Sequence, residues 1–375
     1  MISLVLGGSA LAIWLGLVFA HGGFWRASER DDAMAGIAPG RWPSVIAVVP
    51  ARDEAAVIER SIASLAAQDY PGEFRIILVD DASSDGTAAL ARAAGGERLT
   101  VLAGAPLAAG WTGKLWAASQ GIAAAGAPAY LWLTDADITH RPDTLRSLVV
   151  RAEGRGLVLV SLMARLRCVS LAERALVPAF VFFFQLLYPF AQVNRPSSRT
   201  AAAAGGCMLV RSEALARAGG IAAVRDALID DCAIGALMKH EGPIWLGLTE
   251  RSDSIRRYDS WGSVADMITR SAYAQLGYRA LALVGTLAGL ALVYLAPPTL
   301  ALIGHGVARW LGLAAWGLMA LSFQPMLRFY RRSPLWGVAL PLIALFYAGC
   351  TSLSALRHWR GRGGMWKGRV QAAAR

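Results

Sequence analysis

The sequence predicts an α/β domain with a mostly parallel sheet, set between an N-terminal apolar anchor and an apolar, basic C-terminal region. Three observations predict it. Residues 44–160 alternate short apolar runs with helical patterns, as βαβ units do. Residues 2–20 carry no charge over a length that crosses a bilayer. Beyond Tyr278, long apolar runs are bounded by arginines. Composition agrees: 55% of the 375 residues are hydrophobic and only 17% are charged, with a mean hydropathy of +0.44. Soluble globular chains carry about 25% charged residues, so this chain is too apolar to be soluble throughout.

The net charge of +11 is not spread evenly. Residues 1–266 hold 25 basic and 26 acidic residues, whereas 267–375 hold twelve basic and none acidic. Basic residues flanking apolar spans are the positive-inside pattern and attract anionic headgroups. The expected partner is a membrane, and nucleic acid is excluded. Cys168, Cys207, Cys232 and Cys350 have no metal-binding spacing and read as isolated thiols.

Taken in order, residues 1–24 read as a transmembrane anchor and 25–43 as a linker. No basic region precedes the apolar run, and Arg26 and Arg30 follow it, which favours an uncleaved anchor over a signal peptide. Ser44–Pro50, Phe74–Val79, Thr100–Leu102 and Tyr130–Leu133 read as strands. Glu54–Ala67, Thr87–Ala94 and Lys114–Ala125 read as helices. Leu171–Val193, broken by Pro178, Gln185 and Pro189, reads as an interfacial helix on the membrane or as a buried core helix. The catalytic domain is expected over 44–277, a membrane region over 278–356 and a basic tail over 357–375. Within the membrane region, Pro297-Pro298 is expected to turn the chain between the first two spans. Three full spans would put the basic tail on the far side from Arg328, Arg331 and Arg332. Either Leu335–Leu356 is re-entrant or the tail breaks the positive-inside tendency.

Chemistry is expected where strands end. Four acidic constellations lie in order along the chain: VVPARDEA (48–55), LVDDASSDGT (78–87), LTDADI (133–138) and LIDD (228–231). Asp135 and Asp137 on one turn offer hard oxygen ligands to Mg²⁺ or Mn²⁺, ions that also take substrate phosphates as ligands. Lys114 opens a helix, a setting that suits a diphosphate, and is one of only three lysines, with Lys239 and Lys367. Asp85 and Asp230-Asp231 can also be read as helix caps. His140 and His240 read as surface or capping residues.

The order PARDE, VDDASSDGT, GK, DAD and IDD resembles glycosyltransferase family 2, inverting enzymes of the GT-A fold, over roughly residues 44–275. The resemblance implies that Pro50, Ala51, Arg52 and Glu54 line a nucleotide pocket and that Asp80 or Asp81 contacts the base. It matches Asp135 and Asp137 to the DxD motif, with Asp137 the direct metal ligand, and Lys114 to a lysine near the diphosphate. Asp230-Asp231 matches an acidic pair whose second member, Asp231, is the general base. Asp53 stands where the family usually has Asn. Processive relatives carry QxxRW, and this chain has Arg270-Ser-Ala-Tyr273 instead, which argues against a polymerase. The whole layout is similar to the bacterial glycosyltransferases associated with hopanoid biosynthesis, and in outline to ceramide and carotenoid glycosyltransferases.

The resemblance implies a metal-dependent transferase moving sugar from a nucleotide sugar, a UDP-sugar first, to a lipid acceptor such as a hopanoid. It would be multi-pass in the bacterial cytoplasmic membrane, with its catalytic domain facing the cytoplasm. Two alternatives stay open: transfer to a polyprenyl phosphate, and an inactive membrane scaffold that keeps the fold. The sequence does not indicate an oligomeric state.

Overall fold

The computed structural model describes residues 1–32, 36, 38–367 and 369–370. Residues 33–35 and 37 of the expected linker, and 368 and 371–375 of the expected tail, lie outside the described residues. The chain divides into two compact units. One comprises Met1–Ser28, Cys168–Ala191 and Tyr258–Gly364; the other comprises Glu29–Arg167, Gln192–Arg257 and Met365–Arg375.

The second unit is built on an eight-stranded sheet. Its strands are β1 (Val45–Ala51), β2 (Phe74–Asp80), β3 (Leu99–Ala103), β4 (Tyr130–Leu133), β5 (Ile138–His140), β6 (Leu159–Arg165), β7 (Met208–Arg211) and β8 (Ile244–Ser254). The spatial order is β3-β2-β1-β4-β7-β6-β8-β5. The expected first half is present: β3, β2, β1 and β4 pair in parallel. The second half is mixed, with β7 antiparallel to β4 and β6, β6 parallel to β8, and β5 antiparallel at the edge.

β1 is buried along its whole length, as a central parallel strand should be. Pro50 is tolerated there because β4 pairs only as far as Val48, so the missing N–H faces no ladder. Ile58, Ile62 and Leu65, on one face of the helix Ile58–Ala66, pack into a core with Leu78, Tyr130 and Trp132. That helix starts at Ile58 rather than at Glu54, because residues 52–57 form a turn tied to the next motif. The helix Gly113–Ala124 lies very close to the sheet. A Cβ on Gly121 would be 2.5 Å from Val48 Cγ1 and 3.1 Å from Val79 Cγ2. This close approach, which needs glycine, fixes Lys114 above the C-terminal ends of β1 and β2.

The first unit gathers apolar helices. Among the described residues four are long and apolar enough to cross a membrane: Ile2–Ala20, Ala280–Ile303, Gly306–Phe329 and Leu340–Trp359. Pro297-Pro298 does not turn the chain as expected. A π-helical stretch, Ala291–Leu295, precedes the prolines and shifts the hydrogen-bond register, so both fit in the first turn of Ala296–Ile303. The reversal comes at Gly304-His305 instead.

Ile2–Ala20 runs antiparallel to Ala280–Ile303. Gly7 lies against Leu300 and Leu311, while Trp14 Nε1 donates to Val293 O at 2.8 Å and its ring meets Tyr294 edge-on. Leu340–Trp359 begins partway down its predecessor. Trp316 Nε1, ten residues into Gly306–Phe329, donates to Val338 O at 3.1 Å. Gln324 Nε2 reaches Pro334 O at the same distance.

Leu171–Leu187 belongs to this unit. Phe182 packs on Phe24 and Phe323, and Phe183 on Tyr294 and Tyr347. A capping box of Ser170 and Glu173 starts the helix. The fully buried Glu173 carboxylate also accepts from Tyr258 N at 2.8 Å.

Candidate active site

The first three acidic constellations lie at the C-terminal ends of β1, β2 and β4, and the fourth opens the helix Asp230–Glu241. Ala51 and Asp80 are register partners at the ends of β1 and β2, and Asp81 N donates to Ala51 O at 2.8 Å. Arg52 Nη1 holds Asp81 through its carbonyl (2.5 Å) and its carboxylate (3.5 Å). Asp81 is buried. Asp80 Oδ1 is buried too, with no hydrogen-bond partner among the described residues.

Asp53, at φ +49°, takes the left-handed conformation that Asn and Asp tolerate best. Its carboxylate accepts from Ser84 N at 2.8 Å, so an acceptor suffices where the family usually has Asn. Its N–H donates to Ser83 Oγ at 2.9 Å. Asp85 organises the same crossing, accepting from Thr87 N and Ala55 N. These bonds join the first two motifs into one rigid turn.

Two cations meet on Glu54. Arg256 Nη2 lies 2.6 Å from Glu54 Oε1 and Lys367 Nζ 3.0 Å from the same oxygen. Burial pushes the Glu54 carboxyl above its ordinary range, and the two cations oppose that. Arg256 Nε also sits 2.6 Å from Asp137 Oδ2.

Lys114 joins the other two constellations. Its Nζ is 2.8 Å from Asp135 Oδ1 and 2.9 Å from Asp230 Oδ2. Burial works against the ammonium, but Asp135 and Asp230 more than offset it and hold the Lys114 pKa above its ordinary value.

Asp231 accepts from Gly205 N at 3.0 Å and from Cys232 N at 2.8 Å. It is more than a cap, because one of these bonds reaches across to a distant loop. Burial first, then the Asp230 carboxylate, pushes the Asp231 carboxyl up to about 6 against the pull of Lys114. A Cβ on Gly205 would lie 3.2 Å from Lys114 Nζ and 3.6 Å from Asp231 Oδ2, so glycine keeps the space between them open. The Gly205 loop is seated by Gly235, whose Cβ would come within 2.5 Å of the Ala202 carbonyl carbon.

His140 is not a surface residue. It is buried behind the Asp135–Asp137 turn, where Nε2 meets Thr134 Oγ1 at 3.0 Å and Nδ1 meets Ser252 Oγ at 2.9 Å. Burial lowers its pKa to about 3, so it is a neutral strut. His240 is exposed in the last turn of its helix. The four cysteines are free thiols.

Two residues near the site were not singled out as donor contacts by the motif spacing. Arg256 stood out only as part of a basic-aromatic stretch, and Lys367 only as one of three lysines. Neither shares a local motif with Glu54.

Two carboxylates on one turn, Asp135 and Asp137, fit a hard divalent ion whose remaining ligands come from phosphate. Among the described residues no three of His, Cys, Asp and Glu form a ready-made cage.

Residues 46–219 match the model of Glycosyl transferase family 2. Among solved structures, the mannosyltransferase PcManGT from Pyrobaculum calidifontis, in complex with GDP-Man and Mn²⁺, is 20% identical. The match covers 92% of this chain and 99% of that one, with a TM-score of 0.56. Glucosyl-3-phosphoglycerate synthase from Mycobacterium tuberculosis is 21% identical over 63% of this chain and 79% of its own, with a TM-score of 0.40. The first likeness shows the fold, which is GT-A; the second is too loose to argue from. No curated protein matches by sequence.

Proposed function

We propose that this protein is a membrane-bound, metal-dependent, inverting glycosyltransferase that moves a sugar from a nucleotide sugar to a lipid hydroxyl. One observation carries the reading. The Lys114 ammonium ties the Asp135–Asp137 turn to the Asp230-Asp231 pair, within 2.9 Å of a carboxylate on each side. A diphosphate-binding cation, a metal-binding turn and a base thereby share one small space.

The donor pocket is Pro50–Glu54 with Asp80, Asp81 and Lys114. The unpartnered Asp80 Oδ1 suits a nucleobase N–H or a ribose hydroxyl. Asp135 and Asp137 would hold Mg²⁺ or Mn²⁺, which when bound neutralises charge on the departing diphosphate. Lys114 binds and orients that diphosphate. Asp231 accepts the proton of the acceptor hydroxyl. The acceptor oxygen bonds to the anomeric carbon as the carbon–oxygen bond to phosphate breaks, so the configuration inverts and a nucleoside diphosphate leaves. A carboxylate base at this site suits a hydroxyl acceptor, which must lose a proton, whereas an already anionic polyprenyl phosphate needs no base. A UDP-sugar is the first donor to try, with GDP-mannose beside it because the PcManGT complex holds that donor. A hopanoid is the first acceptor. An inactive scaffold would have no use for this converging acidic set.

The membrane topology belongs to the same reading. Residues 29–167 and the tail from Met365 fall in one compact unit, which supports placing them on one side of the membrane. Between them the chain crosses an even number of times. Ala280–Ile303 and Gly306–Phe329 cross as a hairpin, and Leu340–Trp359 is re-entrant, entering beside Trp316 and returning to the side it left. Arg26, Arg279, Arg328, Arg331, Arg332, Arg357, Arg360 and Arg362 then all face the cytoplasm. On this reading the span count and the positive-inside charge agree.

The test is hydrolysis of a nucleotide-sugar panel by the detergent-purified chain with Mn²⁺ or Mg²⁺, beside Asp137→Ala. Metal-dependent release of one nucleoside diphosphate, lost in the variant, is expected. The absence of both hydrolysis and metal-dependent nucleotide binding would leave the scaffold.

A further inference from the structure

The C-terminal tail reaches the first acidic motif through Lys367. Met365–Trp366 and Arg369–Val370 form a short antiparallel ladder, and Lys367 lies at its turn. Although more than 300 residues away in sequence, Lys367 is clamped to the first motif from both ends. Its Nζ donates to Asp53 O at 2.8 Å and pairs with Glu54 Oε1 at 3.0 Å. Its carbonyl accepts from Arg52 Nε at 3.3 Å. Arg52 in turn holds Asp81. The tail thus closes on the residues that line the proposed nucleotide pocket.

Charge makes this more than a structural clasp. Glu54 Oε1 receives two cations, Lys367 and Arg256, while Arg256 also neutralises Asp137. A divalent ion on Asp135 and Asp137 competes directly with Arg256 for Asp137. Once that pairing is lost, two cations share the single charge of Glu54. A positive charge held beside Glu54 suits an anionic ligand such as a nucleoside diphosphate. Lys367 has three N–H donors, of which Asp53 O and Glu54 Oε1 take two among the described residues.

Resting on the transferase reading, we infer that Lys367 is a donor-binding residue. It contacts the diphosphate of the nucleotide sugar and makes the tail part of the donor site. The tail is therefore required for donor affinity even though it follows the last apolar helix.

The experiment measures binding of UDP, GDP and UMP to the full chain in detergent by calorimetry, with Mn²⁺ present. Wild type, Lys367→Ala and Lys367→Arg are compared, with a thermal melt to verify folding. The expected result is about a tenfold weaker Kd for the preferred nucleoside diphosphate in Lys367→Ala, or about 1.4 kcal/mol. Lys367→Arg should stay within about threefold of wild type, and UMP should be affected less than the diphosphate, because the contact is to the diphosphate. A folded Lys367→Ala that binds the diphosphate as tightly as wild type, or more tightly, overturns the inference; tighter binding would make the tail a plug. If wild type binds neither UDP nor GDP, the transferase reading fails and takes this inference with it.

Discussion

Replacing Asp231 with Asn removes the proton acceptor and keeps the side-chain size. The structural cost is bounded by two hydrogen bonds. Asp231 accepts from Gly205 N and Cys232 N, one on each oxygen. Asn retains a single acceptor and turns an NH₂ toward the other N–H, which costs about 1–3 kcal/mol of stability. The chain should still fold and bind donor within about threefold of wild type. Losing a general base lowers the rate about 10²–10⁴-fold. The pH dependence carries the sign. Below about 6 the Asp231 carboxyl is protonated and cannot accept a proton, so the wild-type rate falls as pH falls through that value and is flat above it. The variant should lack this limb. The assay is initial-rate transfer of labelled sugar into organic-extractable lipid between pH 5 and 8, with a melt to show folding. A folded Asp231→Asn variant within about threefold of the wild-type rate at pH 7.5 would refute the base assignment and point to a lipid phosphate acceptor.

Arg256→Ala should bind Mn²⁺ more tightly without nucleotide, because its guanidinium no longer competes for Asp137, and bind the nucleoside diphosphate more weakly; titration of Mn²⁺ by electron paramagnetic resonance reads the first and calorimetry the second. Gly235→Ala drives a Cβ to 2.5 Å from the Ala202 backbone, which cannot yield as a side-chain end would; about 1–3 kcal/mol of destabilisation follows, and an unchanged melting temperature would contradict the packing. For topology, His305→Cys in a chain stripped of its four native cysteines should be labelled by an impermeant maleimide from outside intact spheroplasts, and Arg362→Cys only after permeabilisation. Outside labelling of Arg362→Cys would make Leu340–Trp359 a full span.

The first half of the sheet could be read from the sequence because β1 and β4 are uninterrupted apolar runs and β2 is broken only by Arg75, each ending in polar, acidic residues. The second half could not. β7 is only four residues long and β5 three, too short to show a period, and their antiparallel placement depends on partners far along the chain. The acidic motifs were readable for the same reason as the strands: each marks a chain exit from the sheet or a helix start. What spacing could not reveal was how they are paired. Arg256 reaches Glu54 across 202 residues and Lys367 reaches Asp53 across 314, so only the fold brings them together. The role of His140 was hidden as well, since burial behind the Asp135–Asp137 turn leaves no trace in its local sequence. Pro297-Pro298 misled because the π-helical stretch that accommodates it has no sequence signature.

The most direct test of the central claim is transfer itself. Membranes containing the chain would be incubated with labelled UDP-sugars and GDP-mannose, with and without Mn²⁺, and the label counted in the lipid extract. Metal-dependent label in lipid, absent with Asp137→Ala, is the predicted result. No lipid label from any donor, in membranes where the folded chain also fails to bind a nucleoside diphosphate, would contradict it.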